Sequence, residues 1–428
     1  MVFLPLILMF VLFALNIPVA FGMLISGLIY FTFMNNDIPT DMMVQNMVSG
    51  TESFSMLAIP FFITAGSVMG YAGISAKLMS FAEILVGHMK GGMGQVNCVL
   101  SALMGGISGS ANADACFEAK MLVPEMEKRG FSREFSAAVT SASSCITPII
   151  PPGICLILYA NVANVSVQNM FFAGYIPGFA ILIALMIVVH LVSSRDGYGA
   201  MRGKMSSLSE IGKGALESIW ALMLPFGIVL GLRLGWFTPT ECGAVLVVYS
   251  LLVGIFVYHE FKPKHIPLVL KESVISTACV MFIICTAKVL AKYLSWEQIP
   301  AMISTFLTSL TDNKFVFLLL VNLFLLLMGM FFDTTAALII FPPLLLPAAL
   351  ALGINPIHFG IIICINITIG GISPPFGVVS FAVLSVCNAK MGRYIRQLAP
   401  FLVALLIVLA LVTFVEPVSM FLPSLLGS

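Results

Sequence analysis

Two short stretches of this 428-residue chain combine glycine, hydroxyl side chains and an acid, and each is followed by a Pro-Pro break. The first is GGISGSANAD (105–114) with TPIIPPG (147–153); the second is GMFFDTT (329–335) with GGISPPFG (370–377). Unwound backbone at membrane depth persists only where protein or a water-filled cavity satisfies it, so such stretches mark a site. The chemistry they suit is ion binding. Carbonyls at a helix break, with Ser, Thr or Asp oxygens nearby, supply the several hard oxygens that a sodium ion takes. Helix amino termini rising from the same breaks direct partial positive charge at an anion. One unit can therefore hold both a coupling ion and an anionic substrate. The competing reading, in which Gly and Pro merely kink packed helices, loses force because two such constellations align.

Among acids at membrane depth, Asp333 stands first, at a tip beside Thr334 and Thr335. An unpaired charge inside a membrane segment is costly, which makes it a functional candidate. Its alternative role is to cap the outgoing helix, and one oxygen can do both. Asp114 and Glu118 follow the first tip and either line a water-filled cleft or pack structurally. Lys288, Lys292 and Glu241 read as structural pairs or snorkelling ends. Trp220, Trp236 and Trp296 read as interface anchors. The histidines show no ligand spacing, and His259-Glu260 lacks the second His of a zinc protease helix.

The two constellations belong to a duplication with a spacing of 223 residues. Gly106/Gly329, Ala113/Ala336, Pro124/Pro347, Gly130/Gly353, Pro151/Pro374, Pro152/Pro375 and Pro177/Pro400 all pair at that spacing. Random placement of the prolines in these windows gives roughly 0.5 coincidences, against four found. Internal duplication in an apolar chain points to a secondary transporter, whose repeats build one central site. Composition agrees: 60% of residues are hydrophobic, 9% are charged and mean hydropathy is +1.09. That is a polytopic membrane protein. A net charge of +1 argues against a nucleic-acid partner. No G-x-x-x-x-G-K-[ST] phosphate loop occurs, which argues against ATP as the driving force. The nine Cys lie unpaired in apolar runs and read as reduced and buried.

The elements that must position the tips follow from the apolar runs. The amino terminus lacks a basic n-region, since the first Lys or Arg is Lys77, so it is expected to stay in the mature protein. Two short spans are expected there, 2–15 and 17–34, interrupted at Asn16 and Pro18. After an acidic separator at 37–53 come a helix at 55–70, an amphipathic stretch at 72–90, a hairpin at 94–128, a broken crossing at 132–165 and a span at 170–193. The second half repeats the order: spans at 215–235 and 239–258, a polar segment at 259–273, a span at 274–292, and a segment at 295–312. A hairpin at 315–352, a broken crossing at 355–388 and a last span at 397–424 complete it. This divides the chain into a first repeat (1–194, with scaffold helices 1–70 and hairpin plus broken helix 94–165), a cytoplasmic linker (195–214) and a second repeat (215–428, with scaffold 215–273 and hairpin plus broken helix 315–388). Five crossings separate the hairpins, and an odd number inverts the second copy. The positive-inside rule puts Lys90, Lys128, Arg129, Arg133, the linker bases, Lys262, Lys264, Lys271, Lys390, Arg393 and Arg396 on the cytoplasmic side, with Arg233 and Lys314 opposite. Both termini are then external.

At GGISGSANADA (105–115), MLVPEMEKRGFSREFSAAVTSASS (121–144), TPIIPPG, AGYIPG (173–178), GMFFDTTAALIIFPPLLLP (329–347) and GGISPPFG, the chain resembles the large membrane (M) subunit of tripartite ATP-independent periplasmic (TRAP) transporters. The resemblance covers essentially the whole chain. It implies an all-α polytopic membrane protein with two inverted repeats, each with a re-entrant helical hairpin and a discontinuous transmembrane helix, working as an elevator. It also implies sodium-coupled uptake of an organic acid anion, of sialic acid or C4-dicarboxylate type, across a bacterial inner membrane. The implied partners are a periplasmic binding protein and a small four-helix membrane subunit, expected as a separate chain because Met1 begins directly in the first span. Two sodium sites and no organic cofactor are implied. One involves Ser108 and Ser110 with Thr147, Ile150 and Gly153, the other Gly329 and Asp333 with Gly370, Ser373 and Phe376. Substrate contacts fall to Asn112, Asp114, Asp333, Thr334 and Thr335. Many relatives read SGSAVAD where this chain has SGSANAD, so Asn112 adds a polar group that either contacts substrate or caps. A binding-protein-independent sodium/dicarboxylate transporter is the alternative, proton coupling through Asp333 stays open, and an intramembrane enzyme lacks a catalytic pair.

Overall fold

The computed structural model describes residues 2–15, 17–34, 40–49, 51–52, 54–105 and 111–426. Among these residues the chain is all helix and turn. The first half comprises α1 (Leu4–Ala14), α2 (Val19–Ile29), α3 (Thr40–Ser49), α4 (Ala58–Tyr71), α5 (Ile74–Val86), α6 (Gly92–Met104), α7 (Ala111–Lys128), α8 (Arg133–Ser143), α9 (Ile154–Ala163) and α10 (Val167–Asp196). The second comprises α11 (Leu208–Glu217), α12 (Ile219–Arg233), α13 (Pro239–Leu252), α14 (Ile266–Trp296), α15 (Ile299–Leu310), α16 (Lys314–Gly329), α17 (Thr334–Ala351), α18 (Pro356–Ile372), α19 (Val378–Cys387), α20 (Met391–Phe414) and α21 (Pro417–Leu426). Among the described residues, five helices are long and apolar enough to cross a bilayer, or up to seven if each of two bent pairs counts as one span.

The duplication is visible in the local chemistry that starts and stops these helices. α2 and α13 both run into a π-helical turn, Tyr30–Met34 and Val253–Val257, at the repeat spacing. α7 and α17 both end before a glycine at positive φ, Gly130 (87°) and Gly353 (71°), where a side chain would be strained. α8 and α18 both start at a side-chain cap: Ser132 Oγ accepts from Phe135 N at 3.2 Å, and Asn355 Oδ1 from Ile357 N at 2.9 Å. Pro151-Pro152 and Pro374-Pro375, joined by cis peptides, also correspond. One contact between the repeats fits a two-fold relation. Cys145 and Thr368 are equivalent positions, and Cys145 Sγ lies 3.6 Å from the Thr368 carbonyl oxygen. Equivalent residues touch beside a two-fold axis, whereas a simple side-by-side translation holds them apart.

Several expectations are corrected. The polar segment 259–273 is largely helical, because α14 begins at Ile266 and continues for 31 residues. It merges the counterparts of α3 and α4, which are separate helices in the first half. The separator at 37–53 likewise contains α3, while 35–39, 50 and 53 lie outside the described residues, as does Asn16. The linker contains α11, started by a capping box in which Ser207 Oγ accepts from Glu210 N and Glu210 accepts from Ser207 N. The amphipathic 72–90 becomes α5, bent 73° from α4 at Gly73. The last span ends at Phe414, and α21 follows it. After the second Pro-Pro the repeat spacing lengthens by one residue: Gly153 and Gly377 both cap helices, and Asn164 and Asn388 both end them in the left-handed region. Pro177 and Pro400 are therefore not structural equivalents, being the eleventh residue of α10 and the tenth of α20.

Candidate functional site

In the first half, a buried polar network ties hairpin to break. Asn97 on α6 donates to Thr140 Oγ1 at 2.7 Å and accepts from Ser143 Oγ at 2.8 Å, both on α8. Thr147, within the break, donates its hydroxyl to Asp114 Oδ2 at 2.5 Å. Asp114 is 1% exposed, and Glu118 one turn later is 0% exposed with both carboxylate oxygens 2.9 Å from Ser101 Oγ. Carboxylates this deep require donors. Thr147→Val removes one and should lower stability by about 1–3 kcal/mol, while Thr147→Ser stays near wild type, as measured by thermal unfolding in detergent. Ile150 packs against Gly105 and Gly178, and a side chain at Gly153 would collide with the Pro148 carbonyl. Ser108 and Ser110 lie outside the described residues.

The second half is built differently at equivalent positions. Ala337 and Phe341 stand where Asp114 and Glu118 stand in the first, and both are buried. Asp333 is exposed and caps α17, its Oδ2 accepting from Thr335 N at 3.0 Å. The capping role is thus real. Gly329 and Gly370 bring the backbones of α16 and α18 into contact: a Cβ on Gly370 would lie 2.6 Å from Gly329 Cα. Ser373 Oγ donates to the Ile369 carbonyl at 2.8 Å, and Ser373 N to the Gly370 carbonyl at 2.9 Å. Phe376 is the residue that lengthens this break, and its ring stacks obliquely on Phe331 at the tip, with centroids 5.1 Å apart.

A cavity of about 520 Å³ separates the tips from α4 and α14. Asn112, Asp114, Asp333, Thr334 and Thr335 all line it, so the five residues expected to touch substrate are brought together. Thr147, Ile150, Gly153, Gly329, Gly370, Ser373 and Phe376 do not line it; they form the breaks and crossings behind the hairpins. The first turns of α7, α9 and α17 all reach the wall, so three helix amino termini set partial positive charge there. Glu272 on α14 is a site residue that sequence reasoning missed. Its Oε2 accepts from Ser67 Oγ at 2.7 Å and its Oε1 from Tyr71 OH at 2.6 Å, both from α4. The available signal was an acid beside an apolar run, with a serine and a tyrosine four residues apart on a facing helix. Glu241, by contrast, closes a capping box with Thr238, and Lys292 sits 6.0 Å from the Trp296 ring, both structural roles as expected.

Comparison with known proteins gives the arrangement its context. The sialic acid TRAP transporter large permease protein SiaM of Vibrio cholerae is 36% identical over 410 residues, covering 96% of this chain and 95% of that protein. The C4-dicarboxylate TRAP transporter large permease protein DctM of Pseudomonas aeruginosa is 37% identical, covering 88% of each. Among solved structures, the Alcanivorax borkumensis YdaH transporter shares the fold with a TM-score of 0.66 at 14% identity, covering 95% of this chain and 97% of that one. The family model described as the tripartite ATP-independent periplasmic transporter, DctM component, matches residues 6–418, and the chain belongs to that family.

Proposed function

We propose that the protein imports an organic acid anion, of sialic acid or C4-dicarboxylate type, by sodium-coupled elevator movement in a bacterial inner membrane, together with a periplasmic binding protein and a small membrane subunit. The observation that carries this reading is the cavity closed on one side by both hairpin tips and on the other by α4 and α14. An occupant would touch both repeats and the scaffold at once, which is what alternating access around a central site requires. Relatives named for sialic acid and C4-dicarboxylates support the substrate type.

In this reading the carrier is the pair of hairpins with their broken helices. The Asn97, Thr140 and Ser143 bonds make the first hairpin and α8 one body, and Asn366 donating to Asn322 Oδ1 at 2.7 Å does the same for α16 and α18. The scaffold interlocks separately, α4 packing on α13 and α14 on α2. In this proposal sodium ions bind through Ser108, Ser110, Thr147, Ile150 and Gly153 in one half and through Gly329, Asp333, Gly370, Ser373 and Phe376 in the other. Ion binding there orders the tips around substrate, so the loaded carrier moves and the half-loaded one does not. Uptake into proteoliposomes, with the binding protein and small subunit supplied, should fall to background when an inward sodium gradient is replaced by potassium. Undiminished uptake in potassium would overturn sodium coupling, and dependence on a proton gradient alone would move the coupling to Asp333.

A further inference from the structure

The cavity wall carries charge of one sign. Asp114, Glu272 and Asp333 line it, and among the described residues no lining residue is Lys, Arg or His. The tip segment 106–110, Gly-Ile-Ser-Gly-Ser, adds no charge. Asp114 and Asp333 lie in or at the first turns of α7 and α17, where helix amino termini offset part of their charge. Glu272 has no such offset. It is the seventh residue of α14, beyond the reach of that helix's amino terminus, and among the described residues it makes no ion pair. Its partners are the neutral hydroxyls of Ser67 and Tyr71, one on each oxygen. They fix the carboxylate and leave each oxygen a second lone pair. Two further groups at this wall have no hydrogen-bond partner among the described residues: Ser75 Oγ, on a side chain in a residue 4% exposed, and Asn112 Oδ1.

We propose that the transported molecule is an organic acid that also bears a positively charged nitrogen, in place of the purely anionic sialic acid or C4-dicarboxylate type, and that Glu272, held by Ser67 and Tyr71, receives that nitrogen. The proposal rests on the reading of this cavity as the transport site. Sodium ions at the tips and breaks offset Asp114 and Asp333 and draw the substrate carboxylate toward the three helix amino termini. Glu272 belongs to α14 rather than to a hairpin, so those ions leave its charge in place. A purely anionic substrate sets like charge against it. An ammonium group supplies donors that match its free lone pairs.

The test uses the protein purified with its small membrane subunit in sodium buffer, with thermal unfolding as the readout. The probes are succinate and 4-aminobutanoate, in which an aminomethyl group replaces one carboxylate. The expected result is that 4-aminobutanoate shifts the unfolding temperature at about tenfold lower concentration than succinate, and that Glu272→Gln brings the two within about twofold. Gly70→Trp should remove both responses, because Gly70 lines the cavity and a Cβ there meets nothing within 4 Å. Equal or stronger action of succinate on the wild type, a response to neither probe, or an unchanged preference in Glu272→Gln overturns the proposal. The wild-type comparison decides even where the Gln variant does not fold. A succinate response that Gly70→Trp abolishes leaves the cavity as the transport site without its cationic subsite; a response that survives Gly70→Trp removes the cavity reading itself.

Discussion

Asp333→Ser should cut sodium-dependent uptake by about 10- to 100-fold while leaving thermal stability close to wild type, the range expected for losing a charged ligand contact of about 1.5–3 kcal/mol. The choice of serine separates two roles that one oxygen now performs. Asp333 caps α17 through Thr335 N, and a serine hydroxyl accepts that bond as well as a carboxylate does. Alanine removes both cap and charge, and should cost about 1 kcal/mol of stability on top of the lost uptake. Parallel flux and unfolding measurements on the two variants make the comparison. Wild-type uptake by the serine variant would reduce Asp333 to a structural cap and shift attention to Asp114, whose carboxylate is deeper and already bonded to the broken helix.

Gly370→Ala should destabilise the protein by about 1–3 kcal/mol, although the same exchange one residue later should be neutral or mildly favourable. A Cβ on Gly370 would meet Gly329 Cα at 2.6 Å and Gly329 C at 2.8 Å, both backbone atoms that cannot swing away. A Cβ on Gly371 meets only the end of Val379, at 3.5 Å, which is ordinary contact. Both positions lie in α18, so the gain in helix propensity is common to the two and the difference isolates the crossing. Thermal unfolding of the pair gives that difference directly. Equal stabilities would show that α16 and α18 slide apart at no cost, and that close backbone contact does not hold the second break in place.

The parts of the fold that sequence made legible are those governed by local chemistry. Gly130 and Gly353 stop helices because a positive φ suits glycine best, and the Pro-Pro pairs break helices because proline lacks a donor. Such residues signal their structure wherever they stand. The start of α14 was hidden for the opposite reason: Lys271 and Glu272 interrupt its apolar run, and the hydroxyls that meet Glu272 stand far away in sequence on α4. Partners 200 residues apart leave no local trace. Helix α11 did carry one, since Ser207 and Glu210 form a capping box, but the surrounding Gly, Lys and Arg made the stretch look like linker. At the site, the tips and their acids were evident from residue type, whereas the depth of Asp114 and Glu118 depends on packing between α6, α7 and α8. Asp333 is exposed at one tip, and the buried acids belong to the other half.

Phe376 bears on how far the two halves are alike. Two identical halves in an inverted pair would place every residue in the same surroundings twice. In the present chain the second half holds its tip to its break through Phe331 and Phe376, 5.1 Å apart. The first half has Ser108 at the position of Phe331 and no residue at that of Phe376, so it cannot make this clasp. A chimera of two first halves would have no clasp and a chimera of two second halves would have two, and neither would reproduce the parent. The halves are therefore not interchangeable, and the one-residue difference at Phe376 is a place where they part.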